Sequence, residues 1–247
     1  MAQLSDEIGQ RLLAQLMNLF VYPEIARRQK AGEIEKPLNL RSAQIVFFPD
    51  DRKPLVRINS EIKAVGRVKL RKAVSKERGD HILEDEVENL DEINRPEEDY
   101  PDCGHATLIR IRDRWTIAFD FRVNKSLARK HIAAAYEFLR SAERCLKFND
   151  WHPFLDNLFS AAELSVRSIL LTMRDKTQTH KGVSIRFNRF ADLGNVDPEY
   201  KKTFNRLYGA RDRARYLKGD ITIREEEARS MLHDVKGLIR RASIVVG

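Results

Sequence analysis

Residues 206–220 read RLYGARDRARYLKGD, and three kinds of group in that run have chemistry to offer. An arginine carries a permanent charge and five donors in a fixed fork, which suits two oxygens of a phosphate or carboxylate. Asp212 follows Arg211 directly and offers a carboxylate; Tyr216 follows it by five and offers a phenol. At about 100° per residue, Phe204, Leu207, Tyr208 and Ala214 share one helix face, and Arg211 falls near its centre. Arg215 lands beside Arg211, whereas Arg213 points to solvent. A guanidinium on an apolar face needs a partner, because an unpaired buried charge is costly. The candidates are Glu163, which interrupts an apolar helical stretch upstream, the carbonyls near Gly219, an interface, or a bound anion.

The charge distribution favours a polyanion as that partner. The chain has 247 residues, with 45 Lys and Arg against 37 Asp and Glu, a net of +8. From Ala128 onward the counts are 23 bases and 15 acids, so that half carries the whole excess. The first 74 residues hold 14 bases and 8 acids, while 75–102 hold 12 acids and 3 bases. Two basic bodies therefore flank an acidic stretch. Basic surface of this kind binds nucleic acid by releasing counterions from phosphates. Lys63, Arg67, Lys69 and Arg71 form a second candidate contact set, and His180 and Lys181 lie in a basic segment before the arginine run. Cys103 and Cys145 sit far apart with no metal-type spacing around them, so two ordinary thiols are expected and no metal or cofactor. The opening MAQLSDEIGQ lacks the pattern of a secretory signal, and no apolar run is long enough to span a bilayer; a soluble cytoplasmic protein without membrane contact is expected.

These groups must be positioned by regular elements. The second half shows helical periodicity. Leu127, Ile132, Ala135, Leu139, Ala142 and Leu146 form one stripe after a cap at Ser126; Leu155 through Met173 form another, with Pro153 early. A third long helix opens at Asp197 and Pro198, and a fourth at a capping box of Thr222 and Glu225. The segment between the second and third reads as a basic connection with one short helix ending near Gly194. An up-and-down four-helix bundle over 126–247 follows. The first half, 1–125, reads as a mixed α/β domain. A helix from about Leu4 carries Ile8, Leu12, Leu16 and Leu19 and is expected to stop near Pro23. AQIVFF, PLVRI, EIKAVGRVKLRK and the hairpin ATLIRIRDRWTIAFDFR read as strands of one small antiparallel sheet, its apolar face on the helix. The opposite face would collect Lys63, Arg67, Lys69, Arg71, Arg110 and Arg112. The acidic stretch 75–102 reads as a polar loop, or as a cover for that basic face. The fold class is α+β.

AAEL at 161–164, FNRLYGARDRARY at 204–216 and the glutamate-rich entry to the last helix resemble the HEPN domain family, over about 126–245. No family is assigned to 1–125. The resemblance implies a small helical bundle that pairs as a homodimer. It also implies RNA as the ligand and, in many members, metal-independent endoribonuclease activity in prokaryotic toxin–antitoxin, phage-defence or stress systems. The family signature is an arginine, a polar residue, and a histidine four to six positions after the arginine. Arg211 and Asp212 match its start; Tyr216 stands where the histidine is usual. The resemblance then assigns Arg211, Asp212 and Tyr216 the reacting positions, with Arg213, Arg215, Lys218, His180 and Lys181 holding the RNA backbone. A tyrosine, whose usual pKa is near 10, is a poor base at neutral pH, so His180 and His233 are candidate substitutes. The alternative is a non-catalytic dimerisation or interaction module, paired with a nucleotidyltransferase or another protein partner.

Overall fold

A computed structural model of the chain describes residues 6–77, 80–96, 98–216, 221 and 223–247. The chain divides into two compact units, Met1–Phe121 and Arg122–Gly247, each with its own core.

In the first unit, α1 (Asp6–Leu16) runs through one π-helical turn, Met17–Val21, into α2 (Tyr22–Lys30). Pro23 does not end the helix as its lack of an N–H predicts. The π turn, in which the Tyr22 N–H donates to the Met17 carbonyl, precedes it, and the proline falls at the start of α2, where its missing donor does no harm. Six strands follow: β1 (Ser42–Phe47), β2 (Leu55–Ile58), β3 (Val65–Leu70), β4 (Val87–Asn94), β5 (Gly104–Ile111) and β6 (Arg114–Asp120). Four of them form an antiparallel sheet in the order β2-β1-β5-β6. The alternation of side chains sends Ala43, Ile45, Val56, Ile58, Ala106 and Leu108 to one face, where Leu16, Met17 and Val21 cover them.

The opposite face differs from expectation. Register places Arg57, Gln44 and Thr107 in one row across β2, β1 and β5. The row is buried and closed by hydrogen bonds: Arg57 Nη1 donates to Gln44 Oε1 at 2.8 Å, and Gln44 Nε2 donates to Thr107 Oγ1 at 3.1 Å. Both ends of the Arg57 fork meet Asp99, at 2.6 and 2.8 Å.

The basic strand is not in that sheet. β3 pairs with β4, from within the acidic stretch, to make a separate two-stranded sheet. So residues 75–102 are not simply a loop, and Lys63, Arg67, Lys69 and Arg71 share no sheet face with Arg110 and Arg112. Charge matching supports the pairing: Lys69 pairs with Glu88 at 2.9 Å and Arg67 approaches Glu92 at 3.9 Å, while Lys63, just before β3, approaches Asp99 at 3.7 Å. Opposite charges across a strand pair stabilise it. Arg112 ties this small sheet to the β5–β6 hairpin through the Val87 carbonyl.

The second unit is all helix among the described residues: α3 (Lys125–Phe148), α4 (Trp151–Thr172), α5 (His180–Asp192), α6 (Pro198–Tyr216) and α7 (Glu225–Val246). Four long helices are joined by a fifth, α5, in place of a mainly irregular connection. α4 is central; its buried residues lie on every side, and α3, α5, α6 and α7 all pack on it. Its buried hydroxyls are satisfied within the helix, Ser165 by Ala161, Ser168 by Ser165 and Thr172 by Ile169. The Asp197 carboxylate caps α6 by accepting from the Glu199 N–H at 2.9 Å. α7 places Glu225, Glu226 and Glu227 in its first turn, where the helix dipole favours them. Thr222 and Gly219 lie outside the described residues. No described helix is long and apolar enough to cross a membrane.

Candidate nucleic-acid interface

α4 and α6 run antiparallel. Near the end of α6, the Ala214 carbonyl meets His152 in the first turn of α4 at 3.3 Å; further back, Phe204 and Tyr208 stack around Phe159. Arg211 sits between these levels. Its guanidinium carbon lies over the Phe159 ring, 5.9 Å from the centroid, and Nη1 pairs with Asp212 at 3.1 Å. The side chain is 15 % exposed, and its Nε is enclosed with no hydrogen-bond partner among the described residues. The helical phase therefore places Arg211 as expected, on the packed side. Glu163 is not its partner.

Glu163 is already engaged. One of its oxygens, Oε1, receives Arg167 Nη2 at 3.1 Å and His180 Nδ1 at 2.5 Å. A carboxylate cannot donate, so the His180 Nδ1 carries the proton at this contact, and in the neutral ring Nε2 is then the acceptor. The imidazole also packs on the Phe159 ring, 5.9 Å between centroids. Phe159 thus bears His180 on one contact and Arg211 on another, and it is 2 % exposed.

The local sequence explains how His180 is held. It opens α5, whose cap is Thr179; the Thr179 hydroxyl accepts from the Gly182 N–H at 3.1 Å. Gly182 is required by close packing: a Cβ there would lie 2.3 Å from the Thr177 methyl. Arg167 pins the segment before the cap by donating to the Thr177 carbonyl at 3.1 Å and the Gln178 carbonyl at 2.6 Å.

The remaining expected residues are not all gathered here. Asp212 is exposed and pairs with Arg211. Tyr216 is 56 % exposed in the last turn of α6, while Arg211 faces the core; five residues of helix carry the two side chains to different sides. Arg213 is exposed, and its stem lines a small hollow with Leu155 and Ile221. Arg215 is exposed rather than packed beside Arg211, because α4 has already reached its first turn at that level. Lys181 is exposed in the first turn of α5. His233 is exposed on α7. Lys218 lies outside the described residues. Lys63, Arg67, Lys69 and Arg71 belong to the other unit. Among the described residues no group of three His, Cys, Asp or Glu is placed to hold a metal ion.

The Glu163–His180 pair and the Phe159 platform are absent from any reading of the arginine run by itself. The signal for the first was an acid inside an apolar helical stretch; the partner lies 17 residues away across a connection of unassigned shape.

No curated protein matches the chain. The family model of the HEPN domain matches residues 128–245, which meets the expectation from the AAEL and FNRLYGARDRARY segments. The helical unit of the chain, α3 to α7, is a HEPN domain.

Proposed function

We propose that the HEPN unit binds RNA at Arg211 and cleaves it without a metal ion, with His180 in the base role that α6 lacks. The observation that carries this reading is the Phe159 platform, which brings the half-buried Arg211, whose enclosed Nε has no partner among the described residues, to the same ring as a histidine held by a carboxylate. Arg211 provides the fixed positive charge for a phosphate whose charge grows in the transition state. His180, with Nδ1 turned to Glu163, presents Nε2 to take the proton of a ribose 2′-hydroxyl. The oxygen then attacks the adjacent phosphorus, the bond from phosphorus to the 5′-oxygen of the next nucleotide breaks, and that oxygen takes a proton from water and leaves as a hydroxyl, giving a 2′,3′-cyclic phosphate. Asp212 keeps the guanidinium oriented. Arg213, Arg215, Lys181 and Lys218 hold the flanking backbone electrostatically, and Tyr216 adds a hydroxyl at its edge. Two copies of the bundle pair in this reading, as is common in the family.

The test is incubation of purified protein with mixed RNA in the presence of a chelator. Wild type should yield cyclic-phosphate ends; Arg211→Ala and His180→Ala should each lower the rate about 100-fold or more, as loss of a charge stabiliser or a general base does. RNA affinity that survives Arg211→Ala, Arg213→Ala and Arg215→Ala together sinks the site. Salt-sensitive binding without cleavage by wild type removes the catalytic step and leaves a binding module. The second reading, a non-catalytic dimerisation module, draws support from the exposed tyrosine at the usual histidine position. It expects no RNA affinity and a loss of dimer on changing Arg211.

A further inference from the structure

A separate cleft of about 440 Å³ lies between α3, the end of α4 and the connection to α5. Leu127, His131, Arg167, Leu170, Lys176 and Gln178 are among the residues that line it. Its size is in the range of small-molecule sites. Leu127 and Leu170 give it an apolar wall, and Leu127 is 46 % exposed. Lys176 and Gln178 are exposed at its rim.

His131 is the distinctive group. Its Nδ1 is enclosed without a partner among the described residues. An enclosed acceptor without a partner costs less than an enclosed N–H without one, so the proton belongs on Nε2. Burial, and secondarily the charge of Arg167, holds the imidazole below its usual pKa, so the ring is neutral at neutral pH and offers one N–H donor. Arg167 is shared: it lines the cleft, and its guanidinium contacts Glu163, which holds His180. The cleft thus adjoins the proposed RNA site through a single side chain.

We propose that this cleft receives an adenine base, flanking the nucleotide held at Arg211. A flat base suits the leucine wall, and recognition of single-stranded RNA takes splayed-out bases in this way. The Gln178 side-chain amide matches the donor and acceptor pair on the N6 and N7 edge of adenine; uracil can meet such an amide through N3–H and O4, but it has no ring-nitrogen acceptor left for the His131 N–H. The His131 N–H donates to a remaining ring nitrogen, and Lys176 meets the phosphate. The placement within RNA rests on the RNA reading above, whereas the base preference belongs to the cleft itself.

The test uses fluorescent eight-residue oligoadenylate and oligouridylate at low salt, read by anisotropy. Wild type should bind oligoadenylate about tenfold more tightly. Gln178→Ala and Leu127→Arg, both at exposed positions, should abolish that preference and leave oligouridylate affinity within about twofold. Arg211→Ala should weaken both oligomers alike and keep the preference. Equal affinity of wild type for the two, or a preference untouched by both cleft variants, overturns the assignment while leaving the RNA site standing. If neither oligomer binds, the RNA reading fails, and adenosine monophosphate against uridine monophosphate, titrated calorimetrically, decides the cleft. Selective binding of the adenine nucleotide that Gln178→Ala removes supports it as a free-nucleotide site; no selective binding overturns it.

Discussion

Two arginines occupy packed faces of this protein, and they are partnered in opposite ways. Arg57, in the sheet of the first unit, has both ends of its fork on Asp99 and a further bond to Gln44. Arg211, in the HEPN unit, rests on an aromatic ring, reaches one carboxylate through a single nitrogen, and keeps an enclosed Nε without a partner among the described residues. Both side chains are largely covered, Arg57 to 10 % and Arg211 to 15 % exposed. Burial alone therefore does not separate an arginine spent on the fold from one with donors to spare. What separates them is how many donors the surrounding chain has already used. Arg57 is spent on the fold; among the described residues Arg211 has fewer of its donors engaged, which is the capacity that the proposed RNA site draws on.

The largest effect that would break this contrast is on stability. Arg57→Ala strands Asp99 and Gln44 in a buried row, and should cost about 3–5 kcal/mol in denaturant unfolding of the first unit. A cost below about 1 kcal/mol would show that Asp99 finds water easily and that the row is not structural. Arg211→Ala should do the reverse. RNA affinity is expected to fall about tenfold or more, with a stability change of about 1 kcal/mol, the scale of one cation–ring contact and one exposed ion pair. Filter binding and thermal melting on the same sample would check it.

A smaller effect tests the second contrast, between the paired basic strand and the exposed Arg213 and Arg215 of α6. Reversing Lys69 to Glu removes the bond to Glu88 and should leave RNA affinity unchanged. Arg213→Ala, by comparison, should lower the salt slope of RNA binding by about one counterion, if it meets one phosphate. The reverse pattern would move the interface to the first unit.

The smallest expected effect is on acid stability. Hydrogen bonds from Arg27, and then Arg28, lower the Glu24 carboxyl from its ordinary 4.5 to about 2, against an opposing push from burial. The Arg57 fork lowers Asp99 likewise, from an ordinary 3.8. Both folded values lie below the unfolded ones. Their stabilisation is complete above about pH 5 and disappears as pH falls through the folded values. Unfolding of the first unit monitored from pH 6 to pH 2 should show this loss, and Glu24→Gln should flatten part of it.

The helices of the HEPN unit were legible in sequence because each writes its own stripe. Ile132, Ala135, Leu139, Ala142 and Leu146 are buried as their spacing requires, and Asp197 caps where it precedes Pro198. The phase of Arg211 was legible for the same reason. Its platform was not, since Phe159 is one apolar residue among many in α4. β4 was hidden for a different reason. Its segment VENLDEIN has apolar residues only at Val87, Leu90 and Ile93, and five of its eight residues are Asn, Asp or Glu. Its strand character comes from the basic partner 19 residues away, which local patterning does not see. The Arg57–Asp99 pair, 42 residues apart, is hidden in the same way.

The π turn at Met17–Val21 sets the angular phase of everything after it. A π turn accommodates one residue beyond the α-helical count, which rotates the following helix by about 100° relative to a continuous α-helix. In that rotated setting Arg28 reaches the Val56 carbonyl and Glu61, while Ile25 stays on the sheet. The one-residue excess is thus a clutch between two helical segments: α1 and α2 engage the same sheet with different stripes. Deleting a single residue from the turn would preserve helix content but swing Arg28 off the sheet edge, so that spectroscopic helicity and sheet anchoring would part company.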